Sequence, residues 1–136
     1  MDQKVQKIDL VQTRAQQLER QQNGFLKPIG KRLSLNVFEW KYPQIDELIA
    51  FLNGLPFKTV LLCPLTIEEQ VRSHTTFQNE LCHIESYDSS KEDDLMNAID
   101  WTKINATKFE ALLFIADGSN ADDQHTVFMN EWKDKQ

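Results

Sequence analysis

The sequence predicts an α/β fold, a three-layer, mostly parallel sheet with flanking helices. Two short, continuous apolar runs, in FKTVLLCPLTIEEQ and FEALLFIADG, have the length and pattern of strands buried on both faces. Amphipathic helical segments separate the strand candidates, and such alternation implies right-handed crossovers between parallel strands. Pro, Asn-Gly and Asp-Gly punctuate the junctions. A chain of 136 residues fits one domain with its own core. The expected division is an N-terminal helix and loop over 1–30 and one α/β domain over 31–136.

Val5, Ile8, Val11, Ala15 and Leu18 recur at three or four residues, giving a thin apolar stripe. This predicts a peripheral helix over Gln3–Gln22, stopped at Asn23-Gly24. A loop through Pro28 to Gly30 follows. Leu33–Trp40 alternates as a strand at or near a sheet edge, with Leu33, Leu35, Val37 and Glu39 on one side. Pro43 opens a short helix that buries Ile45, Leu48, Ile49 and Leu52 and ends at Asn53-Gly54.

The run Val60–Cys63 then leads through Pro64 into a helix capped by Thr66 and carried to about Glu80. Its buried side takes Ile67, Val71 and His74. LCHIESYD is the next strand. Ser89 or Ser90 caps the following helix, with Leu95, Met96, Ile99 and Trp101 as core candidates. FEALLFIADG closes on an Asp117-Gly118 turn, and HTVFMNEW, which alternates, is expected as a hairpin strand.

Charge is uneven. Residues 1–60 carry nine Lys/Arg against six Asp/Glu, and the remainder six against fifteen, within a net charge of −6. No clustered basic surface results, which argues against general nucleic-acid binding. No apolar run approaches the roughly 20 residues of a membrane span. The start MDQKVQKIDL lacks a signal-peptide core, and Cys63 and Cys82 sit in apolar runs as reduced thiols would, so a cytoplasmic protein is expected.

Nucleotide cofactors are not expected. A phosphate-binding loop needs glycine amides, a lysine and a Ser/Thr, yet no GxxxxGK[ST] and no GxGxxG occurs among four glycines. No metal is expected either, because Cys82 and His83 are neighbours on a strand and point to opposite faces. Glu92, Asp93 and Asp94 suit a helix N-terminus, and Asp122 and Asp123 a solvated loop. A nucleophile pairing Cys63 with His74 or His125 lacks an oxyanion turn and an orienting third group. The expectation is therefore a protein without enzymatic activity. Leu65, an apolar residue in a turn after a strand-ending proline, points to contact with a partner.

From Leu33 to about Asp123 the ordered segments resemble the SulA-type SOS cell-division inhibitors of bacteria. SLNVFEW with PQIDELIAFLNGLP resembles that family's first strand and leucine-rich helix. FKTVLLCPLTIEEQ resembles its hydrophobic strand, turn and polar helix. HIESYD and DLMNAIDWTKINATKFEALLFIADG resemble its next strand, helix and apolar strand. The resemblance implies a degenerate RecA-like fold without a P-loop, and an inhibitor that binds FtsZ and blocks its polymerisation during the DNA-damage response. The contact would involve Lys58, Leu62, Pro64, Leu65, Thr66 and Glu69, with Phe77 the nearest counterpart of a family tryptophan. Another protein-binding α/β module, a toxin-immunity protein or a replisome accessory subunit, is the alternative, and a homodimer is open.

Overall fold

The computed structural model describes residues 26–32 and 35–133. The expected N-terminal helix and the residues Leu33 and Ser34 lie outside that range. The described elements are β1 (Leu26–Arg32), β2 (Leu35–Lys41), α1 (Ile45–Asn53), β3 (Thr59–Pro64), α2 (Leu65–Ser73), β4 (Cys82–Tyr87), α3 (Glu92–Ile104), a 3-10 turn (Ala106–Lys108), β5 (Ala111–Ala116) and α4 (Ala121–Lys133). They form one five-stranded sheet in the order β1-β2-β5-β3-β4. All neighbours pair parallel except β1 with β2. The three-layer, mostly parallel α/β architecture is thus as expected.

The period of two along each strand divides the core into two halves. Phe38, Trp40, Leu61, Cys63, Ile84, Leu113 and Ile115 meet α1 and α2 on one face. Leu35, Val37, Val60, Leu62, Tyr87, Leu112 and Phe114 meet α3 and α4 on the other. β3 and β5 are buried at every position, which is why their sequences run apolar without alternation.

Four local expectations are corrected. The segment around Pro28 is not a loop but β1, an edge strand whose register against β2 breaks between Pro28 and Gly30. Proline lacks an N–H to donate, and an edge strand with a register break is where a sheet tolerates it. β2 consequently lies one strand in from the edge, within the expectation of a strand at or near it.

Helix α2 starts at Leu65, with Pro64 in the N-cap position and no side-chain cap, and it stops at Ser73. His74 turns extended, and the next residues are held by the end of α1. Asn53 donates to the Thr76 carbonyl at 2.8 Å and accepts from the Gln78 N–H at 3.0 Å, while Asn79 donates to the Leu52 carbonyl at 2.6 Å.

Helix α3 takes Lys91 as its N-cap residue. Ser90 instead donates its N–H and hydroxyl to Asp88, at 3.0 and 2.7 Å. Those bonds hold the Asp88 carboxyl below its ordinary range.

HTVFMNEW is helical, not a hairpin strand. Ala121, Gln124, Phe128 and Trp132 are buried at spacings of three and four, the stripe of one helix face. Phe128 stacks on Phe114 with centroids 4.2 Å apart and on Trp132 at 5.6 Å, joining α4 to β5.

Candidate functional site

In an open parallel sheet, ligands and partners meet the carboxyl ends of the strands, where successive connections leave for opposite faces. Here β2 and β3 lead into α1 and α2 on one face, whereas β4 and β5 lead into α3 and α4 on the other. With the order β2-β5-β3-β4, each parallel neighbour sends its chain to the opposite layer.

Two exposed apolar residues stand at this edge. Leu65 opens α2 and is 46% exposed, although Pro64 before it is buried and Ile67 and Val71 after it are core. Tyr42 follows β2 and is 42% exposed. Its φ of 56° is the single positive value for a non-glycine residue among the described residues. For a bulky residue that conformation costs about 1–2 kcal/mol, and the bond from its N–H to the Ala116 carbonyl, 3.0 Å, helps hold it. Only β5 separates β2 from β3, so these residues leave the sheet two strand spacings apart, about 10 Å. Both head toward the α1/α2 layer.

The helix behind Leu65 is braced. Glu68 takes a hydrogen bond from the Ser86 hydroxyl and an ion pair from Arg72 at 2.8 Å, which lower its carboxyl below the ordinary range. Lys41, at the end of β2, pairs with Asp122 in the first turn of α4 at 3.2 Å.

On the α3/α4 face, the same edge opens into a crevice of about 190 Å³ between the starts of those helices. Its floor is a buried polar network. The Tyr87 hydroxyl shares its proton between the Ile115 carbonyl at 2.8 Å and Gln124 Oε1 at 2.9 Å. The Gln124 amide donates to Asn120 Oδ1 at 3.2 Å, and Asn120 donates to the Ser89 carbonyl at 2.9 Å. Burial pushes the Tyr87 phenol well above its ordinary value, so at neutral pH it is a hydrogen-bond donor and not an anion. Deeper on this face, Glu39 of β2 is buried and paired with His125 of α4.

No family model, no curated protein and no solved structure matches this chain.

The residues singled out in the sequence fall into separate groups. Pro64, Leu65, Thr66 and Glu69 share one corner, and the last three are exposed. Leu62 is fully buried in the α3/α4 half of the core. Lys58 precedes β3 at the opposite, amino edge, where its carbonyl accepts the Glu110 N–H at 2.7 Å. Phe77 is partly buried against the α1/α2 core in the loop after α2. The corner is therefore brought together, and Lys58, Leu62 and Phe77 stand away from it.

The thiols and histidines do not assemble. Cys63 faces α1 and α2, on the opposite side of the sheet from His125. Burial, with a smaller push from the Glu68 carboxylate, raises the Cys63 thiol far above its ordinary value; burial raises Cys82 to about 12. His74 accepts the Thr76 N–H at Nδ1, 3.3 Å, so its Nε2 carries the proton given to Asp46 at 2.9 Å. Among the described residues, no three His, Cys, Asp or Glu side chains lie close enough to hold a metal ion.

Tyr42 and the Tyr87–Gln124–Asn120 network were not anticipated. Tyr42 carried one usable signal, its place between a strand end and Pro43, two residues before α1 begins at Ile45. In the network only the i,i+4 spacing of Asn120 and Gln124 is local, and the bonds from Tyr87 and to Ser89 come from tertiary packing.

Proposed function

We propose that this chain is a non-enzymatic protein-binding module that acts by covering a partner's surface with the corner formed by Leu65 and Tyr42. The observation that supports this reading is the exposed Leu65 side chain on a rigid, braced helix start. A second exposed aromatic stands about 10 Å away at the backbone. An apolar anchor and a tyrosine on fixed secondary structure lose little conformational freedom on docking, and tyrosine is among the residues enriched at interface hot spots. Thr66 and Glu69 supply a polar rim on the same helix.

The partner proposed first is FtsZ, and it rests on the resemblance to SulA-type inhibitors alone. In that reading the module holds FtsZ subunits out of the polymer by mass action, halting septation during DNA damage. Sedimentation of FtsZ with GTP and the full chain in excess tests it. The expected result is loss of pelleted polymer with wild type and its return with Leu65→Asp. Unchanged polymer at excess wild type refutes FtsZ as the partner.

A further inference from the structure

The two edges of the sheet are built differently. β1 contains Pro28, a register break before Gly30, and the basic residues Lys27, Lys31 and Arg32. These are the devices that stop an edge strand from pairing with another chain. β4, CHIESY, has no proline, glycine, lysine or arginine, and it runs in unbroken register along β3. Among the described residues, no strand pairs with its outer side.

The inner bonds fix which groups of β4 are free. The Thr59 N–H donates to the Leu81 carbonyl at 3.0 Å, so the odd-numbered residues turn their backbone toward β3. Ile84 and Ser86 therefore present N–H and C=O outward. Cys82 presents its carbonyl, its own N–H being given to Asn79 at 3.3 Å. The side chains alternate as well: Ile84 faces the α1/α2 layer, and Tyr87 the α3/α4 layer with His83 and Glu85.

We infer that β4 pairs antiparallel with β4 of a second copy of this chain, about a two-fold axis through Ile84, to make one continuous sheet. Complementarity of His83 and Glu85, which already meet at 3.1 Å within one copy, selects that register. An axis at His83 sets histidine against histidine, and an axis at Glu85 sets carboxylate against carboxylate. Centred on Ile84, each His83 lies opposite Glu85 of the second copy in a non-hydrogen-bonded pair, with Cα atoms about 4.5 Å apart. The same register aligns the free backbone groups. The Ile84 residues exchange two bonds, and each Ser86 N–H meets the Cys82 carbonyl of the other copy.

Strand pairing alone buries less than the roughly 800 Å² per partner of a stable interface. Exposed apolar side chains flank β4. His83 stacks on Trp101 at 4.8 Å beside Phe109, and Leu81 and Ile104 are 46% and 80% exposed.

Sedimentation velocity on the full chain tests the inference, with circular dichroism to confirm that each variant is folded. Wild type is expected at twice 15.9 kDa at tens of micromolar. Glu85→Lys places a lysine opposite His83 and is expected to weaken association at least tenfold. The double variant H83E/E85K places an opposite-charge pair across the axis and is expected to restore association to within a few-fold. A monomeric wild type, a Glu85→Lys variant that associates like wild type, or a double variant that stays monomeric overturns the inference.

Discussion

The buried thiols make a sharp prediction for alkaline pH. Cys63 is fully enclosed, and its thiol is raised far above the ordinary 9.0; Cys82 is raised to about 12. Above pH 9 the unfolded chain loses thiol protons that the folded chain keeps, so rising pH favours unfolding. Each thiol's contribution is present in full below its ordinary value and is lost as pH climbs toward the folded value. The limiting slope is about 1.4 kcal/mol per pH unit per group. Between about pH 8 and pH 10, each thiol removes about 1.4 kcal/mol, and the Tyr87 phenol adds a few tenths. The total, about 3 kcal/mol, is a large share of the 5–15 kcal/mol typical of a domain. Urea denaturation at the two pH values, under a reductant, measures it. The variant with Cys63→Ala and Cys82→Ala is less stable at both, because it loses packing, yet its difference between them is expected to shrink by about 2–3 kcal/mol. An equal pH difference in wild type and variant refutes the reasoning, whatever the absolute stabilities.

Three further outcomes follow from the packing. Tyr87→Phe and Gln124→Leu each leave a buried partner unsatisfied and are expected to cost about 1–3 kcal/mol, whereas the double variant costs about 1 kcal/mol less than their sum. Strict additivity in urea denaturation would argue against the shared bond. Phe128→Ala removes the ring stacked between Phe114 and Trp132 and is expected to cost about 3–5 kcal/mol by the same measurement. Leu65→Asp is expected to change stability by no more than about 1 kcal/mol while lowering partner affinity at least tenfold in a titration, since its side chain is half exposed and an acidic residue suits the first turn of a helix.

The sheet was legible where burial is two-sided. Val60–Cys63 and Ala111–Ala116 have no polar side to offer, so their apolar runs read directly as interior strands. β1 was hidden because Pro28 and Gly30 look like loop residues until a free edge is available to accept them. α4 was hidden because HTVFMNEW alternates as a strand does, and because Gln124, a polar residue, belongs to its buried stripe. That glutamine is buried because Tyr87, far away in sequence, and Asn120, one helical turn before it, satisfy its amide. The end of α2 was set by bonds between the segment after it and the end of α1, from Asn53 to Thr76 and from Asn79 to Leu52, which no local pattern records. At the candidate corner Leu65 was legible for the opposite reason. A large apolar residue immediately after a strand-ending proline has no interior to occupy, and the structure leaves it half exposed.

The two surfaces, if both operate, constrain each other geometrically. Leu65 lies at the carboxyl end of β3, and a two-fold axis across β4 makes the two sheets antiparallel. The docking corners of such a dimer point in opposite directions, so both cannot grip one face of one partner molecule. A dimer would instead link two partner molecules, and its avidity would appear only toward a partner that presents several copies of its surface. Glu85→Lys separates the possibilities: it is expected to bind a single partner subunit as tightly as wild type, because Leu65 is untouched, and to lose only the extra affinity for a multivalent partner. Leu65→Asp is expected to do the reverse, keeping the dimer and losing both modes of binding. A Glu85→Lys variant that loses affinity for a single partner subunit would place the contact on β4 and remove the corner as the docking surface.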